Sequence, residues 1–195
     1  FANELSLICD KLGINVWELI KLANRHPRVN ILQPGPGVGG HCIAVDPWFI
    51  VDSAPDEAKL IRMARLVNDN KPNFVLNKID CAVSLIGRSK MELKIACLGL
   101  AFKPDIDDLR ESPALSIMRK ISLMGFSEVL LAEPNIFTLP KEFKDKEQLV
   151  SLVLADEAIR AADIVVLLVD HTPFKSIDIG LLSGKQIIDT RGIWS

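Results

Sequence analysis

The stretch Leu93–Arg110, LKIACLGLAFKPDIDDLR, sets the fold. Leu93 to Leu100 is an apolar run broken only by Lys94 and Gly99, the pattern of a strand covered on both faces. The loop after it carries Lys103 and Arg110. Ser112-Pro113 follows, a helix cap with proline in the first turn. Strand, loop and helix start in that order predict a βα unit. Parallel sheets built from such units take ligands at the carboxyl ends of their strands. Two cations ahead of a helix N-terminus read as an anion site or, equally plainly, as surface charge.

Toward the C-terminus the same grammar repeats. The helix from Ser112 is expected to run to Met124 and stop at Gly125. Val129 to Ala132 reads as a second strand, Leu149 to Leu154 as a short strand or helix, and Asp156 to Ala162 as a short helix. Asp163 to Val169 is a buried strand, Phe174 to Leu182 is helical, and Gln186 to Asp189 is a last strand leading into Asp189–Gly192, DTRG. The class is α/β, with a parallel, doubly wound, Rossmann-like sheet. No GxGxxG fingerprint follows the first strand. The sheet is therefore expected to hold a nucleotide differently from a standard dinucleotide domain.

Toward the N-terminus the chain is helical. Gly87 to Glu92 is polar and marks a boundary, giving a helical unit over residues 1–88 and an α/β unit over 89–195. Residues 57–86 form one long helical pattern after Pro55-Asp56, on the order of 40 Å at 1.5 Å per residue, with Pro72 expected to kink or restart it. A helix of that length connects two domains, packs a dimer, or does both. Residues 1–24 read as helix, with Phe1, Leu5, Ile8 and Leu12 on one apolar stripe. Gly13 breaks it, and Asn15 caps a second helix with Glu18 at the capping-box position. Val16, Leu19, Ile20 and Ala23 are its buried side. Arg25 to Arg28, RHPR, is a solvated helix end or an anion contact.

Between these parts lies Gln33–Phe49, QPGPGVGGHCIAVDPWF. Pro34 to Gly40 holds four glycines and two prolines. A stiff loop with few side chains brings backbone close to a ligand; it is also the make-up of a simple turn. Cys42 follows at a loop-to-element boundary, and Asp46 lies one helical turn on. A thiol with a carboxylate beside it is a candidate nucleophile with a partner, while a cysteine is commonly a small buried hydrophobe.

Composition narrows the function classes. The chain has 195 residues, 49% hydrophobic and 25% charged, enough for a sizeable core. A net charge of −2 lacks the basic footprint of a nucleic-acid binder. No apolar run is long enough for a membrane span. The chain opens at Phe1 in what reads as mid-helix, so it is expected to be a piece of a longer protein. Cys9, Cys42, Cys81 and Cys97 show no CxxC pair, and the three histidines are scattered. Reduced thiols in the cytoplasm and no metal site are expected.

These stretches resemble the UDP-glucose/GDP-mannose dehydrogenase family, closest to its UDP-N-acetyl-D-mannosamine dehydrogenase branch. The residues that carry the likeness are Phe1–Val51, Gly99–Ala114 (GLAFKPDIDDLRESPA), Glu133–Asn135 and Asp189–Trp194. The resemblance implies the last two of three parts: a central helical dimerisation domain and a UDP-binding α/β domain, without the NAD-binding domain and its catalytic Lys, Asn and Glu. The implied reaction oxidises a sugar C6 alcohol to the carboxylate with NAD, for bacterial surface polysaccharide. Cys42 matches the family nucleophile that captures the aldehyde, and Asp46 the aspartate that assists thiol or water. Gly39, Phe102, Lys103 and Arg191 match substrate contacts, and Arg110 a residue on the NAD side. His26 and Arg28 are the candidates for a family arginine that enters the neighbouring subunit's site, which implies a homodimer. The usual GGSCFPKD of the UDP-glucose branch reads GGHCIAVD here. His41 and Val45 point instead to the N-acetylhexosamine branch.

Three readings follow: part of a UDP-sugar dehydrogenase, a UDP-sugar-binding and dimerising module without turnover, and a Cys/His acyl hydrolase. The last lacks a convincingly placed histidine base.

Overall fold

The computed structural model describes residues 1–194. Five parallel strands form one sheet in the order β3-β2-β1-β4-β5: β1 Lys94–Leu98, β2 Glu128–Ala132, β3 Val150–Leu152, β4 Ile164–Leu167 and β5 Gln186–Asp189. Ile95 pairs with Val129 on one side and Ile164 on the other, so β1 is central. Strand order reverses between β1 and β4, which opens a crevice at their carboxyl ends. Gly99 leaves β1 at φ 91, and a Cβ there would lie 2.5 Å from that of Val169. Only glycine lets the chain turn out of the sheet at this point.

Among the described residues there are seven α-helices: α1 Ala2–Leu12, α2 Val16–Ala23, α3 Asp46–Ser53, α4 Lys59–Ile86, α5 Pro113–Ile121, α6 Ala155–Ala161 and α7 Thr172–Lys175. Ser112 Oγ accepts from the Leu115 N–H, so α5 starts at its predicted cap. It ends at Ile121, short of Met124, where Ser122 Oγ turns back to the Arg119 carbonyl. Asn15 caps α2 through the N–H groups of Trp17 and Glu18. The ambiguous segment at 149–154 is strand β3. Its edge position explains the weak signal, because an edge strand needs only one well-buried residue.

One face of the sheet is covered by α4 and α5 and the other by α6. Val75, Ile79 and Ala82 of α4 join Leu93, Ile95, Ile117 and Met118 in the larger core, so the second half of α4 is part of the sheet domain's packing. Ala96, Leu98, Ala158, Ile159 and Phe174 build the opposite layer. The helix α4 spans 28 residues, about 42 Å, and runs through Pro72 without restarting. Packing overrides proline's local cost here: Pro72 is buried beside the helix's own Lys71 and Asn68.

The apolar stripe of α1 does not face this core. Phe1, Ile8 and Leu12 are exposed, Asn3 and Ser6 are buried against α4, and Cys9 with the partly buried Leu5 packs on Val16 and Ile20 of α2. The helix docks by its polar side because α4 offers Asn68 and Lys71 as partners. Among the described residues no helix is long and apolar enough to cross a membrane.

Candidate functional site

The Gly-rich loop is seated on two buried asparagines. Asn3 Oδ1 accepts from the Gly35 N–H at 2.9 Å. Asn68 Oδ1 accepts from the Val38 N–H at 2.8 Å and from Asn3 Nδ2 at 3.0 Å, while its Nδ2 donates to the Val38 carbonyl at 3.2 Å. The loop backbone thus pairs with side chains much as a strand pairs with a neighbour, which fixes its path without a sheet. At Gly39 that path leaves no space. A Cβ would sit 2.1 Å from the Glu111 carbonyl oxygen and 2.6 Å from Pro113 Cδ. The next residue, Gly40, lies against the Phe102 ring.

This contact brings the loop to the carboxyl edge of the sheet. A cavity of about 210 Å³ lies there, lined by Gly37 and Val38 of the loop, Phe102 and Lys103 after β1, and Arg191 after β5. Lys103 Nζ stands 5.8 Å from the Phe102 ring centroid, and the lysine is exposed. Arg191 is half-buried, its Nε donating to Asp170 Oδ1 at 2.7 Å. Asp189 accepts from the N–H groups of Arg191, Gly192 and Trp194, which locks the DTRG turn. Two cations, an aromatic face and loop backbone around one small cavity can hold a charged, flat-ended ligand.

A buried cluster that motif reading missed holds the Lys103 loop in place. His171 is fully buried. Its Nδ1 accepts from the Asp105 N–H at 2.9 Å, which puts the ring proton on Nε2, 3.1 Å from Glu133 Oε2. Glu133 also accepts from the N–H groups of Leu100 and Ala101, leaving β1, and of Asn135. Burial opposes ionisation of Glu133, but the His171 and backbone hydrogen bonds outweigh it and hold the carboxyl below its ordinary range. Asp105 sits at φ 60 and ties both Thr172 N–H and Thr172 Oγ1 to its carboxylate. The loops after β1, β2 and β4 are therefore one hydrogen-bonded unit. The sequence signal for it was a histidine in the short loop after a buried strand, four residues past Leu167. The signal for Asn3 and Asn68 was a polar residue spaced three from another, Ser6 and Lys71, on each of two helices.

Cys42 is exposed in the turn 41–45. Its carbonyl accepts from the Asp46 N–H at 2.8 Å, so the two residues are one turn apart, with Asp46 opening α3. Among the described residues no histidine is hydrogen-bonded to Cys42 Sγ. Arg110 is exposed on the rim of a separate groove of about 980 Å³, bound through Nε and Nη2 to Asp108. The Arg110 hydrogen bonds hold the Asp108 carboxyl well below its usual range. His26 and Arg28 lie in the turn after α2, both exposed, with His26 Nδ1 accepting from the Arg28 N–H. They line neither of these two cavities. Phe102, Lys103 and Arg191 thus line one cavity, Gly39 packs on Glu111 and Pro113 beside it, Cys42 and Asp46 follow on the same loop, Arg110 faces a neighbouring groove, and His26 and Arg28 stand apart.

The sheet's own crevice does not suit a dinucleotide. The acidic residue after β2, which would meet a ribose in such a fold, is Glu133, and its oxygens are taken by His171 and backbone N–H groups. Among the described residues no three His, Cys, Asp or Glu side chains gather as a metal site requires.

Two family models match the chain. Residues 96–195 match the UDP binding domain of the UDP-glucose/GDP-mannose dehydrogenase family. Residues 1–70 match the central domain of the same family. The chain is 58% identical over its whole length to an NDP-N-acetyl-D-galactosaminuronic acid dehydrogenase of Ralstonia solanacearum, covering 44% of that protein. It is 57% identical, again over its whole length, to a UDP-N-acetyl-D-mannosamine dehydrogenase of Salmonella typhi, covering 46% of it. The chain therefore spans about half the length of the curated relatives it matches. Among solved structures it resembles a UDP-D-ManNAc dehydrogenase from Pyrococcus horikoshii, with a TM-score of 0.83 and 35% identity over 98% of this chain and 44% of that one.

Proposed function

The chain belongs to the UDP-glucose/GDP-mannose dehydrogenase family, and on that premise we propose that it is the nucleotide-sugar-binding and thiol-bearing part of an NAD-dependent UDP-N-acetyl-D-mannosamine 6-dehydrogenase. The observation that carries the reading is the cavity after β1 and β5. There the Gly-rich loop, Phe102, Lys103 and Arg191 meet, with Cys42 two residues beyond the glycine that touches Phe102. Lys103 and Arg191 bind the diphosphate, the Phe102 ring packs on the sugar, and the backbone around Gly39 closes over both. Residues 1–88 act as the dimerising unit and 89–195 as the nucleotide-binding unit of a cytoplasmic homodimer. The exposed stripe of Phe1, Ile8 and Leu12 supports a covered α1 face, and His26 and Arg28 serve the partner's site.

NAD would supply the hydride acceptor of the family reaction, and Arg110 is this chain's candidate contact with it. The chain's own step is covalent. The Cys42 thiolate adds to the C6 aldehyde carbon, the C=O π bond breaks, and the oxygen takes up a proton, giving a thiohemiacetal. Such an adduct carries the C–H bond that a free aldehyde cannot give up as hydride while becoming an acid derivative, and it keeps the aldehyde from leaking. After oxidation to the thioester, Asp46 directs water to the acyl carbon. The carboxylate leaves and the thiol is restored. Without a dinucleotide crevice the chain by itself binds but does not oxidise.

A second reading is favoured by one observation: the identities of 58% and 57% belong to relatives named for different hexosamines. The galacto epimer is therefore the competing sugar. Isothermal titration of the chain with UDP, UDP-ManNAc and UDP-GalNAc tests both. Lys103→Ala and Arg191→Ala are each expected to weaken UDP about tenfold or more, the loss of a charge-assisted contact. UDP binding unchanged in both variants sinks the proposed site, and the tighter sugar names the substrate.

A further inference from the structure

We propose that a second cavity, between α1, α2, α4 and β5, is a binding site for a small organic acid with an apolar, ring-sized body. The cavity has a volume of about 300 Å³ and shares no lining residue with the nucleotide cavity. Its lining includes Ser6, Trp17, Lys71, Phe74 and Ile187.

Lys71 is buried, 4% exposed, on the inner face of α4. Its ammonium has three N–H donors, and its hydrogen-bond partner is Ser6 Oγ at 2.8 Å. The Ser6 hydroxyl proton is already given to the Asn3 carbonyl, so Ser6 meets Lys71 as a neutral acceptor. The Phe74 ring lies 4.4 Å from the ammonium, a second neutral partner. Two carboxylates line the same cavity, and both are otherwise engaged: Asp10 pairs with Lys78, and Asp189 holds three backbone N–H groups of the DTRG turn. A buried cation without a carboxylate of its own is costly. Burial accordingly pushes Lys71 down to about 8, against the pull of Asp10.

A second, independent donor lines the same cavity. Trp17 Nε1 is buried without a hydrogen-bond partner. The N-terminus of α2 supplies no further donor from Trp17 or Glu18, because Asn15 Oδ1 takes both N–H groups. Lys78, Asp10 and Asp189 line the cavity as well, but their charges are met by one another or by the DTRG backbone. The unmet donors are therefore the Lys71 ammonium and the Trp17 indole N–H, beside the apolar walls of Phe74, Val75 and Ile187. A carboxylate offers two acceptor oxygens and one negative charge, which answers both unmet donors at once. The walls ask for an apolar, flat body behind it. A phosphate monoester of similar bulk presents the same chemistry.

The test uses benzoate, with benzamide as the uncharged isostere and inorganic phosphate as the anion without a body. The readout is the indole N–H resonance of Trp17 in the 195-residue chain, assigned by Trp17→Phe. Benzoate is expected to shift it saturably, at least about tenfold more tightly than benzamide, the ratio one charge-assisted hydrogen bond commands. Lys71→Met, which keeps the stem and removes the charge, is expected to abolish the shift while thermal unfolding shows the chain still folded. Should Lys71→Met fail to fold, loss of benzoate binding in Trp17→Phe, followed by calorimetry, serves instead. No saturable shift, equal binding of benzamide, or a shift that persists in Lys71→Met overturns the proposal. Phosphate binding as tight as benzoate overturns the claim for an apolar body. Because UDP takes no part in the readout, this result stands or falls apart from the nucleotide site.

Discussion

Replacing Glu133 by alanine probes how the nucleotide edge of the sheet is built. The carboxylate accepts from Leu100 N–H at 2.6 Å, Ala101 N–H at 3.3 Å, Asn135 N–H at 3.2 Å and His171 Nε2 at 3.1 Å. Its side chain and that of His171 are both fully buried. The alanine variant leaves these donors without their acceptor in a dry site. The loss is about 3–5 kcal/mol in all, from about 1–3 kcal/mol for each buried donor left without its acceptor, partly regained by relaxation. At about 2–4 °C per kcal/mol for a chain of this size, Tm should fall by roughly 6–20 °C. The assay is thermal unfolding followed by circular dichroism across pH, with UDP titration alongside. The folded-state pKa of Glu133 is depressed, so its contribution is fully present above the unfolded carboxyl's pKa, about 4.3, and is lost as pH falls through the folded value. The gap between wild type and variant should thus hold steady from pH 7 to about 5 and narrow below it. UDP affinity should fall too, because the Lys103 loop loses its anchor. A Tm within about 2 °C of wild type, or a gap that widens on acidification, would refute the reasoning.

Gly39→Ala drives a methyl group into the Glu111 carbonyl and Pro113, atoms that cannot step aside without moving the start of α5. A loss of about 1–3 kcal/mol in urea unfolding is expected, whereas Gly125→Ala, with nothing within 4 Å, should cost only what its φ of 81 imposes. Thiol labelling of the native chain should reach Cys42 and Cys81, which are exposed, and spare Cys9 and Cys97. Burial pushes the Cys97 thiol up to about 12. Mass spectrometry should count two adducts in the wild type and one in Cys42→Ser; labelling of Cys97 under native conditions would contradict the sheet core.

The sequence by itself determined four of the five strands and the caps at Asn15 and Ser112. Those features are written locally. A strand buried on both faces must be apolar throughout, as Ile95–Leu98 and Ile164–Leu167 are, and a cap is a hydrogen bond between near neighbours. Of the candidate site residues, the carboxyl-end rule points to the loops of Lys103, Arg110 and Arg191, whereas Gly39, Phe102 and the role of Arg191 come only from the family resemblance. Tertiary structure decided what depends on partners far apart in the chain. Asn3 and Asn68 meet across 65 positions, and Glu133 and His171 across 38, so no window of sequence contains either pair. Which face of α1 turns inward was likewise not local. Periodicity reveals that Phe1, Ile8 and Leu12 share a side, but burial depends on what stands opposite. Here α4 presents Asn68 and Lys71, and hydrogen bonds to Asn3 and Ser6 draw the polar side in. The helix through Pro72 follows the same logic: a local rule asks for a break, and the core contacts of Val75, Ile79 and Ala82 on the far side of the proline hold the helix together.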